Sequence, residues 1–244
     1  MDAQLKRTKE IKKLFRKKVG GERWKIAKPE QGLSKETYIV NNGRNTYFLK
    51  FDVNIPPLQR LSDLELTPKI LVTGILLNKN YVIQEFIVGN HPDRAWFESN
   101  IERLAEFIAK YHNDKQLIAL LSEKNIFNLQ NQILGDISNI GKQIVRVNAD
   151  QYKTQKFRNY YKRFIKQGKL ITNTSPKVIH ADPNQNNIIV TDANIYMVDW
   201  DNILLSDPLR DIGLILWWYL KKEHWLKAFK RFGLADNQET YHRL

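Results

Sequence analysis

The sequence of 244 residues has no cysteine. That excludes disulfides and thiolate metal sites, and it fits a cytoplasmic protein. No apolar run approaches 18 residues, so no transmembrane helix is expected. The opening stretch, MDAQLKRTKEIKKLFRKKVG, lacks an apolar core segment and does not read as a secretory signal. No zinc-finger spacing, RNA-binding aromatic motif or heptad zipper is present, so no specific nucleic-acid partner is expected. G-x-G-x-x-G and G-x-x-x-x-G-K-[ST] are also missing, so no glycine-rich phosphate loop stands out by itself.

What remains is a globular composition, 42% hydrophobic and 27% charged, long enough for one large domain or two small lobes. The net charge of +13 is uneven. Residues 1–28 carry eleven Lys/Arg against three Asp/Glu, and residues 151–170 carry seven Lys/Arg and no acid. The rest is close to neutral. Two basic segments on a balanced body read first as solvated helix faces, and second as surfaces for anionic partners.

The pattern is β-rich first and helical later. Strands are expected at Trp24–Ala27, Thr37–Val40, Thr46–Phe51, Ile70–Thr73 and Tyr81–Phe86. Asn42-Gly43 and Asn78-Lys79-Asn80 supply turns, and Pro57–Leu64 has room for about two helical turns. From residue 94 the period becomes helical. Phe97, Ile101, Leu104, Ile108 and Tyr111 form the stripe of one long amphipathic helix. Phe157, Tyr161 and Phe164 repeat that spacing and are expected to make core contacts. Ile188–Val190 and Ile195–Val198 read as a hairpin joined by Thr191–Asn194, and Ile212–Leu220 as a buried helix. Trp217 and Trp218 are expected to pack in the core, because adjacent helical residues point about 100° apart and at most one could face a pocket.

One stretch resists a purely structural reading: VIHADPNQNNIIV, residues 178–190. His180, Asp182 and Asn187 give H-x-D-x-x-x-x-N, followed across the hairpin by Val198-Asp199-Trp200-Asp201 and then by Asp207-Pro208-x-x-Asp211. The first spacing alone arises by chance in about one per hundred chains of this length. Phosphoryl transfer explains it. Mg²⁺ bridging a triphosphate takes only one or two protein oxygens, and Asn187 and Asp199 sit at the two feet of the hairpin. Antiparallel pairing would bring those feet to about 5 Å, one strand spacing. Asp182, a loop away, would face the acceptor hydroxyl and take its proton late.

On these residues the chain resembles the aminoglycoside phosphotransferase / choline kinase superfamily, in motif order over roughly residues 30–215. The resemblance implies an α+β, two-lobed, protein-kinase-like fold. Residues 1–88 would be a small antiparallel β-rich lobe with a basic N-terminal helix. Residues 89–244 would be a larger, mainly helical lobe carrying the catalytic loop. It implies Asp182 as catalytic base, His180 as loop support, Asn187 and Asp199 as Mg²⁺ ligands, and Asp207 and Asp211 as braces from below. Gly32-Leu33-Ser34 resembles the family's nucleotide-covering turn, and Lys50 the lysine on the α/β phosphates. Gln84-Glu85-Phe86-Ile87 resembles the hinge whose backbone pairs with adenine at Glu85 and Ile87, with Gly89 after it. Ala181 stands where the family often has Gly. For the acidic partner of Lys50, Glu65 and Asp63 are candidates, with Gln59 a weaker one. His112, at a helix end, resembles a family feature and also fits a structural histidine.

The implied activity is a cytoplasmic ATP- and Mg²⁺-dependent transfer of a phosphoryl group to the hydroxyl of a small molecule. A thiamine- or choline-like alcohol is favoured, with an aminoglycoside or a sugar as the alternatives. Only seven residues separate Asp199 from Asp207, and no A-P-E follows, which argues against a protein acceptor. Two other readings stay open: a catalytically silent, kinase-shaped nucleotide-binding protein, and a basic protein of nucleic-acid or membrane surfaces.

Overall fold

A computed structural model describes residues 2–29, 36–122, 129–147, 150, 153–170 and 175–244. Its contacts divide the chain into two compact units, Met1–Pro92 with Gln185–Asn202, and Asp93–Asn184 with Ile203–Leu244. The sequence reading divides at 88/89 and assigns the hairpin to the second segment; the contacts assign it to the first unit. Backbone pairing is the reason. Asn90 and Val190 exchange both hydrogen bonds (2.9 and 2.8 Å), and Met197 N–H donates to Leu66 O at 2.8 Å.

In the first unit, β-branched and aromatic residues build five strands: β1 (Lys25–Ala27), β2 (Thr37–Asn41), β3 (Thr46–Phe51), β4 (Ile70–Leu76) and β5 (Lys79–Glu85). They form one antiparallel sheet in the order β1-β2-β3-β5-β4. All five expected strands are there, but two turns differ. The β4–β5 loop is Leu77-Asn78, both in the left-handed region (φ 51° and 62°), as a two-residue type I′ hairpin turn requires. Lys79 and Asn80 therefore belong to the strand. The β2–β3 loop has four residues, Asn42–Asn45. Asn42 Oδ1 accepts from the backbone of Arg44 and Asn45 there, and Gly43 takes φ 90°.

One face of the sheet is closed by α1 (Asp2–Lys18). Ile11, Leu14 and Phe15, at i, i+3 and i+4, join Trp24, Val40, Leu49, Phe51, Tyr81 and Ile83 in a single core. The basic N-terminal segment is thus only half a solvated face. Arg7 donates to both carboxylate oxygens of Glu36 at 2.6 Å and lies 4.2 Å over the Phe51 ring. Strand alternation sends Leu49 and Phe51 into this core and turns Lys50 to the opposite face. A helix α2 (Ile55–Asp63) and the hairpin β7 (Ile188–Val190) with β8 (Ile195–Met197) complete the unit.

The second unit is mainly helical. The expected long helix is two, α3 (Arg94–Ser99) and α4 (Ile101–His112), broken at Asn100. Asn100 has φ −117°, ψ 24°, and its backbone N–H and side-chain amide both donate to Trp96 O. A side chain that competes for the backbone ends a helix where periodicity alone would continue it. All five stripe residues are buried, and Phe97 stacks on Tyr219 with centroids 4.2 Å apart. Strands β6 (Lys177–Ile179) and β9 (Leu204–Ser206) pair antiparallel and set the loop that follows Ile179 beside the start of a buried helix, Leu209–Tyr219.

Two packing expectations are corrected here. Phe164 is 63% exposed, because the half-buried row of its helix runs through Phe157, Tyr161 and Ile165 and drifts away from the i+7 position. Trp217 and Trp218 are 54% and 71% exposed. They stand in the last turn of their helix, where Trp217 packs T-shaped against Trp225 and under the Lys222 ammonium. No helix among the described residues is long and apolar enough to cross a membrane.

Candidate active site

Lys50 occupies the end of β3, paired in register with Thr37 on one side and Val82 on the other. Its side chain is almost fully buried, and its Nζ lies 2.9 Å from Asp199 Oδ1 and 2.7 Å from Asp201 Oδ1. A buried ammonium must be paired, and here 149 residues of sequence separate it from its first partner. The acids proposed from sequence do not serve. Asp63 accepts its i−4 neighbour Gln59 at 2.9 Å, and Asp63 and Glu65 are both exposed.

Asn187 and Asp199 stand at the two feet of the hairpin. Val198 N–H donates to Asn187 O at 2.8 Å, which holds the two feet side by side. Asn187 closes a short 3-10 turn (Gln185–Asn187), and Asp199 precedes another (Trp200–Asn202). Asp199 has φ 62°, a left-handed backbone uncommon for a residue with a side chain. That turn brings residues 199 and 201 both onto Lys50. The buried Trp200 indole locks it by donating to Met197 O at 2.8 Å.

The hinge segment leaves the sheet at Glu85, the last residue paired with β3. Gln84 is buried, and its amide donates to Pro68 O at 2.7 Å. Phe86–Gly89, including Ile87, lie outside any strand. Gly89 is required by a close approach: a Cβ there would come within 2.7 Å of Val190 O and of the Ile189 side chain. Gly32, Leu33 and Ser34, the expected nucleotide-covering turn, lie outside the described residues.

The second unit holds the other part of the motif. His180 is fully buried, and its Nδ1 accepts the Asp182 backbone N–H at 3.3 Å. Asn184 Nδ2 donates to Asp182 Oδ1 at 2.8 Å and orients that carboxylate. Beneath the loop, Asp211 is wholly buried. It accepts the backbone N–H of His180 (2.8 Å) and of Ala181 (2.9 Å), and the Tyr111 hydroxyl (2.8 Å). His112 Nε2 stands 3.4 Å from the same carboxylate. Burial alone would raise the Asp211 pKa. The His112 hydrogen bond and charge, with the His180 backbone N–H, outweigh burial and hold the carboxyl below its ordinary range. Burial, with Asp211 opposite, pushes the Tyr111 hydroxyl well above its usual value.

Asp211 is therefore the brace that the resemblance implied. Asp207 does a different job. It accepts the Leu209 N–H at the start of its helix and takes a bidentate pair from Arg243 at 2.7 Å. Three residues of this machinery went unread in the sequence. Asp201 could have been found from its D-x-D spacing to Asp199, and Tyr111 from its place beside His112. Arg243 carries no local signal.

A sequence model of the phosphotransferase enzyme family, APH, matches residues 25–244. The chain belongs to that family. Solved structures of the same fold include spectinomycin phosphotransferase APH(9)-Ia in complex with ADP and spectinomycin. It is 16% identical and covers 96% of this chain and 82% of its own, with a TM-score of 0.68. Choline kinase LicA from Streptococcus pneumoniae is 14% identical, covering 98% of this chain and 85% of its own at a TM-score of 0.65. APH(2")-IIa in complex with gentamicin is 16% identical, covering 96% and 83% at 0.60. The phosphotransferase fold is thus an α+β, protein-kinase-like one with an antiparallel sheet near its N-terminus.

Proposed function

We propose that this phosphotransferase moves the γ-phosphoryl group of ATP to a hydroxyl of a small molecule. The observation that carries the reading is the ion pair of Lys50 with Asp199, which joins a cation from the sheet to a carboxylate at the foot of the hairpin. In the proposed roles, Lys50 neutralises phosphate oxygens, and the backbone of Glu85 and Ile87 pairs with the adenine edge. The acceptor oxygen forms a bond to the γ-phosphorus, the bond to the β-bridging oxygen breaks and ADP leaves. The hydroxyl proton passes to Asp182. Its carboxylate is held by Asn184, on a loop fixed by His180 and Asp211.

Asn187 and Asp199 offer an amide oxygen and a carboxylate, hard donors that suit Mg²⁺. When bound, that ion would neutralise charge on the phosphates. An ADP complex among the structures of this fold supports a nucleotide donor.

For the acceptor we favour an alcohol-bearing amine of thiamine or choline type. A chain with net charge +13 is a poor match for a polycationic aminoglycoside, which calls for an acidic pocket. A sugar is the next candidate. Coupled ADP release, screened over choline, thiamine, aminoglycosides and sugars with Mg²⁺ and ATP, tests the reading. Turnover should appear with a small alcohol. Nucleotide binding without turnover on any acceptor would overturn it in favour of a silent binding protein.

A further inference from the structure

An ammonium on a flexible four-carbon stem contacts phosphates productively only if something holds it in place. In most of its length Lys50 is held by burial, but its charged end is held by two carboxylates in different settings. The Asp199 side chain is 39% exposed, whereas that of Asp201 is 16% exposed. Asp199 stands at the hairpin foot in a left-handed backbone. Asp201 lies inside the 3-10 turn that the buried Trp200 indole pins to Met197. Of the two contacts, the one to Asp201 is the shorter, 2.7 Å against 2.9 Å. Helix α2, which runs between Lys50 and the hinge in sequence, does not supply this carboxylate, since Asp63 is engaged by Gln59.

We infer that Asp201 is the positioning residue of Lys50. The inference rests on the function proposed above. The more exposed carboxylate, Asp199, is the one open to a cation or nucleotide. When it is engaged there, Lys50 keeps its bond to Asp201 and its ammonium stays aimed at the phosphates. One hairpin-end turn thus holds both a candidate metal ligand and the anchor of the phosphate-binding lysine.

Calorimetric titration of ADP and ATP, with Mg²⁺ and with EDTA, tests this on the full chain. The proteins compared are wild type, D201N, D201E, K50M and K50M/D201N. D201N is expected to weaken nucleotide binding about tenfold under both conditions, a coupling of ordinary size for paired groups. D201E should stay within about threefold of wild type, because it keeps the carboxylate. K50M and K50M/D201N should bind alike, because Asp201 acts through Lys50. Wild-type affinity in D201N overturns the inference. So does a loss seen only with Mg²⁺, which would make Asp201 a metal ligand. So does a further tenfold loss in the double variant over K50M. Should D201N fail to fold, D201E against wild type and the double variant against K50M decide the matter. A wild-type protein that binds no nucleotide would instead overturn the proposed function, and this inference with it.

Discussion

Asp182 and Asp199 are both carboxylates of the same motif, and their surroundings differ in a way that fits the separate roles proposed for them. Asp182 is tied to Asn184 and to the His180 ring through its own backbone, whereas Asp199 is tied to Lys50. Asp182→Ala should lower kcat by about 10²–10⁴ while nucleotide affinity stays near wild type. Asp199→Ala should remove the Mg²⁺ dependence of nucleotide binding. Steady-state kinetics and titration calorimetry separate the two, and two variants with the same phenotype would refute the division. Ala181 is the other residue with a local conflict. It has φ 70°, where a Cβ is disfavoured by roughly 1–2 kcal/mol. Glycine relieves that strain, at a cost in unfolded-chain entropy of about 0.4–1 kcal/mol. Ala181→Gly is therefore expected to raise the melting temperature by about 1–3 °C. A lower melting temperature would show that the Asp211 bond to the Ala181 N–H depends on the alanine.

At the scale of elements, the hairpin 188–197 matters most, because it belongs with the sheet-bearing unit rather than with the sequence on either side of it. Its attachment includes a tight contact, Gly89 against Ile189 and Val190, beside the Asn90–Val190 bridge and the Met197–Leu66 hydrogen bond. One of the two obstructing atoms is a backbone carbonyl, so a methyl group at 89 cannot be accommodated by a rotamer change alone. Gly89→Ala should destabilise the protein by about 1–3 kcal/mol. It should also weaken Mg²⁺-dependent nucleotide binding, because the feet of the hairpin carry Asn187 and Asp199. Denaturant unfolding and calorimetry on one preparation would show both effects, and unchanged binding would mean the hairpin keeps its place without that contact. The element boundaries that escaped the sequence share a cause. Asn100 splits a helix, and Leu77-Asn78 makes a turn without glycine, because side-chain hydrogen bonding and strand twist override periodicity and turn statistics.

For the molecule as a whole, acid stability should depend on Asp211. Its carboxyl titrates lower folded than unfolded. The stability it contributes is therefore fully present above the unfolded value of about 3.9 and is lost as pH falls through the lower folded value. Wild type should lose stability steeply in acid, and Asp211→Asn should flatten that part of the profile. At neutral pH the same variant should be less stable by about 3 kcal/mol or more, as expected when one member of a buried charged network is removed. Thermal melts at several pH values check this, and an unchanged acid limb would show that other carboxylates dominate. The net charge of +13 behaves differently at this scale. In the N-terminal helix it is carried on the back of an apolar stripe that is part of the core, so much of the basic segment is structural.

Sequence alone determined the five strands, the hairpin and the order Lys50, hinge, Asp182, Asn187, Asp199, because each depends on short-range periodicity or on a fixed spacing along the chain. Only the tertiary structure decided which acid meets Lys50, which unit owns the hairpin, and that Asp211 gathers His180, Ala181, Tyr111 and His112. Those contacts join residues that lie tens to more than a hundred positions apart. Partner choice at such separations is set by how the elements pack, and packing leaves no local mark in the sequence.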